Sequence, residues 1–327
     1  MNILINNNNN FLKLDLKTFL RGFLLLITFL MSVFLGNLYV QGDQTVYIRT
    51  YNGMTDYSFF DAYLFYTFNI SSIEIIHFVI VWLASNLGID KVIFMSGCNT
   101  FIAGLIIRIF DKMNVSFAIT ALFILTNFYL YVIFFAAERL KFGILFFLLC
   151  IIYRKRLYLY PILLTTSILS HLQMIILFSC KAFQLLITEI RSIIFALKLK
   201  WSLLLPLPII LVGLLFLQNS IYEKILAYSG ADSIFDFLRI IIFFLISIFY
   251  AKDKNEPVLY FFPLFVAVYF IGGDRVNMIG YIVSLYYCLP YRRGINLGML
   301  ITSFYFLYMN IDFVLRIIEN GNGFPPR

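Results

Sequence analysis

Apolar runs of roughly 20 residues follow one another down most of this 327-residue chain, and that repetition constrains its fold more than any motif. A run of that length matches the ~30 Å hydrocarbon core of a bilayer at 1.5 Å per residue. In lipid, every backbone polar group must be satisfied internally, so a spanning segment is a helix or part of a closed barrel. A barrel would show segments of about ten residues alternating in polarity. The runs Ser116 to Ala137 and Ile234 to Tyr250 are apolar on all faces, which predicts helices.

The expected fold is therefore an all-α, polytopic transmembrane bundle of about 10 or 11 spans plus a re-entrant or interfacial helix at the outer face. The crossings fall near 18–40, 91–110, 115–137, 139–153, 157–171, 172–190, 201–218, 234–250, 257–272, 276–290 and 295–317, with 71–87 as the re-entrant segment. Residues 1–17 form a short cytoplasmic lead, 18–318 one membrane domain with external loops at about 41–70 and 219–236, and 319–327 a tail. The asparagine run Asn6 to Asn10 has no apolar periodicity and is expected to be disordered. The first span is too long for a signal-peptide core and is read as an uncleaved anchor.

A net charge of +8 would suggest nucleic acid in a soluble protein. Here the basic residues cluster at the ends of apolar runs, as they do on cytoplasmic loops of membrane proteins. With the N-terminus cytoplasmic, that side receives Lys13, Lys17, Arg21, Arg108, Lys112, Arg154, Lys155, Arg156, Arg292 and Arg293, and the outer side keeps fewer cations. Four widely spaced cysteines, Cys98, Cys150, Cys180 and Cys288, lack metal-ligand spacing and read as small packing residues. There is no Walker loop and no Gly-x-Gly-x-x-Gly, so no bound nucleotide, metal or other cofactor is expected.

Ionisable groups cost about 2.5–3.5 kcal/mol each in a span, so those that survive there usually line a cavity or a pathway. They gather at Asp43-Gln44 with Tyr47 and Tyr51, at Glu138-Arg139, at Ser170-His171 and at Gly273-Asp274-Arg275, with Arg239 just inside a later span. On the expected topology all of these face outward. The bland readings are an arginine snorkelling at a helix end, a histidine satisfying freed carbonyls, and Asp43 capping a helix. His77, within an apolar stretch, reads as structural.

A span exiting into Gly42-x-Asp43-x-x-x-Tyr47-x-x-x-Tyr51, then an aromatic run Asn127-Phe128-Tyr129 leading to Arg139, then a break at Ser170-His171, resembles the EpsG-like and Wzy-type polysaccharide polymerases. The likeness covers about 36–186, with a weaker echo at 273–277. The chain departs from that pattern in carrying Glu138 before the arginine, Leu140-Lys141 after it, and Glu74 without a following proline. The resemblance implies an enzyme of the bacterial inner membrane that joins oligosaccharide repeat units carried on undecaprenyl diphosphate, among membrane lipids and alongside a chain-length regulator, without nucleic acid.

The residue types suit that chemistry. Arginine forks, here Arg139, Arg239 and Arg275, donate paired hydrogen bonds to phosphate oxygens and offset charge growing on a leaving diphosphate without a metal. His171, Asp43 or Glu138 could take the acceptor's proton. Tyr47 and Tyr51, one helical turn apart, could stack on sugars, and Asp274 could add a polar contact. An O-antigen ligase shares the donor and differs in its acceptor. A lipid-linked oligosaccharide flippase would want a cationic cavity nearer mid-membrane and pseudo-symmetric halves, and no internal repeat stands out.

Overall fold

The computed structural model describes residues 8–196, 234–271 and 273–325, and all regular structure among them is helical. The expected crossing at 201–218 and the loop at 219–236 lie outside or almost wholly outside the described residues. Helix α1 (Asn8–Leu38) already runs at Asn8, so part of the asparagine tract is helical, continuous with the apolar run that follows it.

Among the described residues, three helical segments are long and apolar enough to cross a membrane: Leu16–Leu38 within α1, Lys91–Lys112 (α5), and Tyr291–Asn320, in which a short 3-10 turn leads into α14 (Leu297–Asn320). Two bent pairs meet the test only when each is counted as one. They are α3 (Phe59–Ile70) with α4 (Ile75–Asn86), bent by 115°, and α6 (Phe117–Thr126) with the segment Phe128–Ala136, bent by 55°. By length and composition, the described residues thus hold three helices that could cross, or five if each bent pair is one span. Helices α8 (Glu138–Ile152), α9 (Leu159–Ser170), α11 (Ile234–Tyr250), α12 (Asn255–Ile271) and α13 (Gly273–Cys288) are shorter. The 12 residues of α9 reach only about 18 Å. α10 (Met174–Ala196) completes the set.

The stretch expected as a loop at 41–70 is two helices, α2 (Asp43–Gly53) and α3. Gly42 makes the turn into α2 at φ 63, and a Cβ there would lie 3.1 Å from Asn322 Nδ2. α2 reads poorly as a helix because its buried stripe, Gln44, Tyr47 and Tyr51, begins with a polar residue. The break between α3 and α4 falls at Ser71-Ser72, where Ser71 sits in the left-handed region at φ 52. The segment expected as a re-entrant helix at 71–87 is the second arm of this bent pair, with α3 as the first.

α1 and α5 run antiparallel. Near one end Lys17 and Arg21 pair with Asp111; near the other Gly36 packs on Val92. α8 and α9 approach so closely that Ser167 Oγ donates to the Gly143 carbonyl at 2.8 Å. The later helices α11, α12 and α13 pack on one another and meet the first half of the chain around Tyr281. Its ring touches Phe123, Tyr129, Phe243 and Phe306, and its hydroxyl accepts from Asn127 Nδ2 at 3.0 Å. Asn127 also caps the helical turn Phe128–Tyr131 through Leu130 N, which fixes the 55° bend. Cys150, Cys180 and Cys288 are buried free thiols and Cys98 is half-buried.

Candidate functional site

The polar side chains gather where helices start, stop or break. Glu74 stands at the N-terminal boundary of α4, Glu138 and Arg139 open α8, His171 ends α9 in an extended conformation, and Lys91 opens α5. A π turn at Val132–Ala136, followed by Ala137 at φ −95 and ψ 60, interrupts the helix ahead of Glu138. Anions are favoured at helix N-termini and cations at C-termini. Glu74, Glu138 and His171 each sit at the favourable end. Lys91 sits at the unfavourable one and needs an acidic partner.

Glu74 is the hub of the first cluster. Its carboxylate is buried, with 4% of the side-chain surface exposed. One oxygen, Oε1, accepts from His171 Nδ1, and the other, Oε2, accepts from Arg139 Nη1 at 3.1 Å. Arg139 Nε donates to the Tyr47 hydroxyl at 3.0 Å. Burial pushes that hydroxyl up to about 12 against the pull of Arg139, so Tyr47 stays a neutral phenol. An ionised carboxylate only accepts hydrogen bonds, so His171 donates to it from a protonated Nδ1. Arg139 keeps 22% of its side chain exposed, the most of the three charged members, and two of its five N–H groups make the bonds just named.

Glu138 is the hub of the second cluster. Its Oε2 accepts from Lys91 Nζ at 2.8 Å, and its Oε1 lies 3.9 Å from His77 Nε2. Lys91 Nζ also donates to Gln44 Oε1 at 2.8 Å, and Gln44 Nε2 to the Phe135 carbonyl at 2.7 Å. His77 Nδ1 and the Tyr66 hydroxyl are 2.8 Å apart. The two clusters share a wall, since the Tyr47 ring lies edge-on to His77 and Lys91 Nζ sits 5.9 Å from its centroid.

Of the residues singled out from the sequence, Arg139, His171, Glu138 and Tyr47 come together, from positions up to 124 apart (47 to 171). Glu138 is committed to Lys91, which removes it as a free base. Asp43 is exposed in the first turn of α2, one turn before Tyr47, and no hydrogen bond or ion pair joins its side chain to either cluster among the described residues. The Tyr51 hydroxyl donates to the Ile89 carbonyl at 2.9 Å and ties α2 to the approach of α5, so the tyrosine pair does not form a common sugar platform. Arg239 rides on α11, whose main packing is against α13. Asp274 and Arg275 stand in the first turn of α13, and their side chains lie outside the described residues.

No known family, curated protein or solved structure matches this chain. The site therefore rests on its own geometry. Sequence reasoning undervalued Glu74, His77, Lys91 and Gln44. A signal did exist for Glu74: it is the one acid in an apolar stretch with His77 three residues on.

Proposed function

We propose that this protein is a polymerase that joins undecaprenyl-diphosphate-linked oligosaccharide repeat units at the outer face of the bacterial inner membrane, with its N-terminus cytoplasmic and its shorter helices completing ten or eleven crossings. The observation that carries this reading is the bridge made by Glu74, one buried carboxylate holding a histidine and a partly exposed arginine side by side. That pair supplies what glycosyl transfer from a lipid diphosphate requires.

In the proposed reaction, His171 takes the proton from an acceptor sugar hydroxyl, and Glu74 stabilises the imidazolium that results. The hydroxyl oxygen bonds to the donor's anomeric carbon as the bond from that carbon to the diphosphate oxygen breaks. The electron pair leaves with undecaprenyl diphosphate, and Arg139 offsets the growing charge. Tyr47 fixes the guanidinium plane. Arg239 and Arg275 are further cations for the diphosphate, and Asp274 a further polar contact. No metal enters this scheme, so purified protein should polymerise lipid-linked repeats in excess EDTA. Arrest by chelation with rescue by Mg²⁺ would overturn it.

The function is tested by deleting the gene and separating surface polysaccharide on a gel. Single repeat units capping the carrier or the acceptor are expected. Complete loss of external repeats would instead indicate a flippase, and polymer left unattached to its final acceptor a ligase.

A further inference from the structure

On the other side of Glu138 from Arg139 and His171 lies a separate cavity of about 150 Å³. Exposed Asn52 and Asp90 stand at its mouth. From Lys91 it follows α5 past Met95 to Asn99, eight residues or roughly 12 Å along the axis. Ser32 and Gly36 of α1 form the facing wall, and Lys141 of α8 reaches it from the third side. Its volume far exceeds the ~15 Å³ needed for a single water.

Two buried polar groups here lack adequate partners. Lys141 is 1% exposed, and among the described residues the one hydrogen-bond acceptor of its ammonium is the Met95 sulfur, a weak acceptor at 3.8 Å. Asn99 donates through Nδ2 to Ser32 Oγ and the Phe134 carbonyl, both at 3.3 Å, but its Oδ1 has no donor. Two cations, Lys91 and Lys141, and two carboxylates, Glu138 and Asp90, line the cavity, but they are not paired evenly. Glu138 is taken by Lys91, and the exposed Asp90 caps α5 through Ile93 N at 3.0 Å. Lys141 feels Glu138 but has no carboxylate within ion-pair distance among the described residues, and burying a charge without a hydrogen-bonded partner is costly.

We propose that this cavity is an oxoanion site that takes a phosphate group, with Lys141 neutralising its charge and Asn99 Oδ1 accepting a hydrogen bond from its P–OH. The chemistry is the same whether the phosphate is a free ion or the monoester headgroup of a lipid entering past Asn52. The site stands apart from the Glu74 cluster and does not depend on the polymerase reading.

The test uses the full chain, purified in phosphate-free detergent at constant ionic strength, and follows its thermal midpoint. Inorganic phosphate and short-chain phosphatidic acid are the two probes, and short-chain phosphatidylcholine is the control. A saturable rise with inorganic phosphate alone assigns a soluble anion. A rise with phosphatidic acid at far lower concentration, and none with phosphatidylcholine, assigns a lipid headgroup. Lys141→Met should abolish the rise and leave the anion-free midpoint at or above that of the wild type, because a buried ammonium with only a weak acceptor has gone. Labelled phosphate should bind the wild-type protein at one per chain, displaced by unlabelled phosphate and not by chloride. No rise with either phosphate probe, an equal rise in Lys141→Met, or no displaceable binding would overturn the proposal and leave the space to ordered water.

Discussion

Arg139, partly exposed, and Lys91, buried, are both cations bonded to a carboxylate, yet different consequences follow from losing them. Arg139 bonds in two directions at once, to Glu74 and to Tyr47, and an ammonium cannot reproduce that planar fork. Arg139→Lys should therefore insert and express normally but lose most polymer, with single repeat units accumulating on gels of surface polysaccharide. Polymer of near-normal length would reduce Arg139 to a helix-end anchor. Glu74→Gln keeps the shape and removes the charge that sets the His171 tautomer, so polymer should be lost there too. A shifted pH–rate profile in the residual activity of Glu74→Gln would distinguish positioning of His171 from simple disruption. Lys91 is a stability residue instead. Lys91→Met leaves Glu138 buried without its hydrogen-bonded cation, with His77 at 3.9 Å and Lys141 farther off, at a cost of about 3–5 kcal/mol. The double variant Lys91→Met/Glu138→Leu should recover much of that in thermal unfolding in detergent, since an apolar pair of similar volume often matches a buried ion pair.

At the scale of elements, the site depends on how closely α8 and α9 approach. A Cβ at Gly143 would lie 2.8 Å from Met174 Cγ and 3.5 Å from His171 Cβ. Gly143→Ala should cost about 1–3 kcal/mol by overpacking and shorten the polymer by displacing His171, and adding Met174→Ala should restore much of both. The elements themselves were largely legible. α5, α11 and the break at Ser170-His171 fall where apolar runs and their polar interruptions place them. α2 was hidden because its buried face carries Gln44, whose partner Lys91 lies 47 residues away. The bend at Asn127 was hidden because hydropathy runs on through it, and what stops the helix is a side-chain cap made good by Tyr281, 154 residues on. Arg139 and His171 stood out as polar groups in apolar surroundings. The carboxylate that joins them did not, since neither partner is near it in sequence.

For the whole molecule, the proposed topology puts the Asp43 and Ser58 region outside and the turn between α8 and α9 inside. Single cysteines placed at 43 and 155 in a Cys98→Ser background test this with an impermeant maleimide, because the other three native thiols are buried. Label from outside should reach 43 and not 155, and the reverse pattern would place the Glu74 cluster on the cytoplasmic side, away from any external acceptor. The Glu74 bridge also sets an order of events during synthesis. Arg139 lies 65 residues after Glu74 and His171 97. At ~5–20 residues per second, the ribosome delivers the arginine about 3–13 s after the glutamate, and the histidine later still. Through that interval the acid has neither partner. The hairpin of α3 and α4 therefore reaches its final seat late, after α8 has emerged, and a chain stalled before residue 139 would hold that hairpin where water can still solvate its carboxylate.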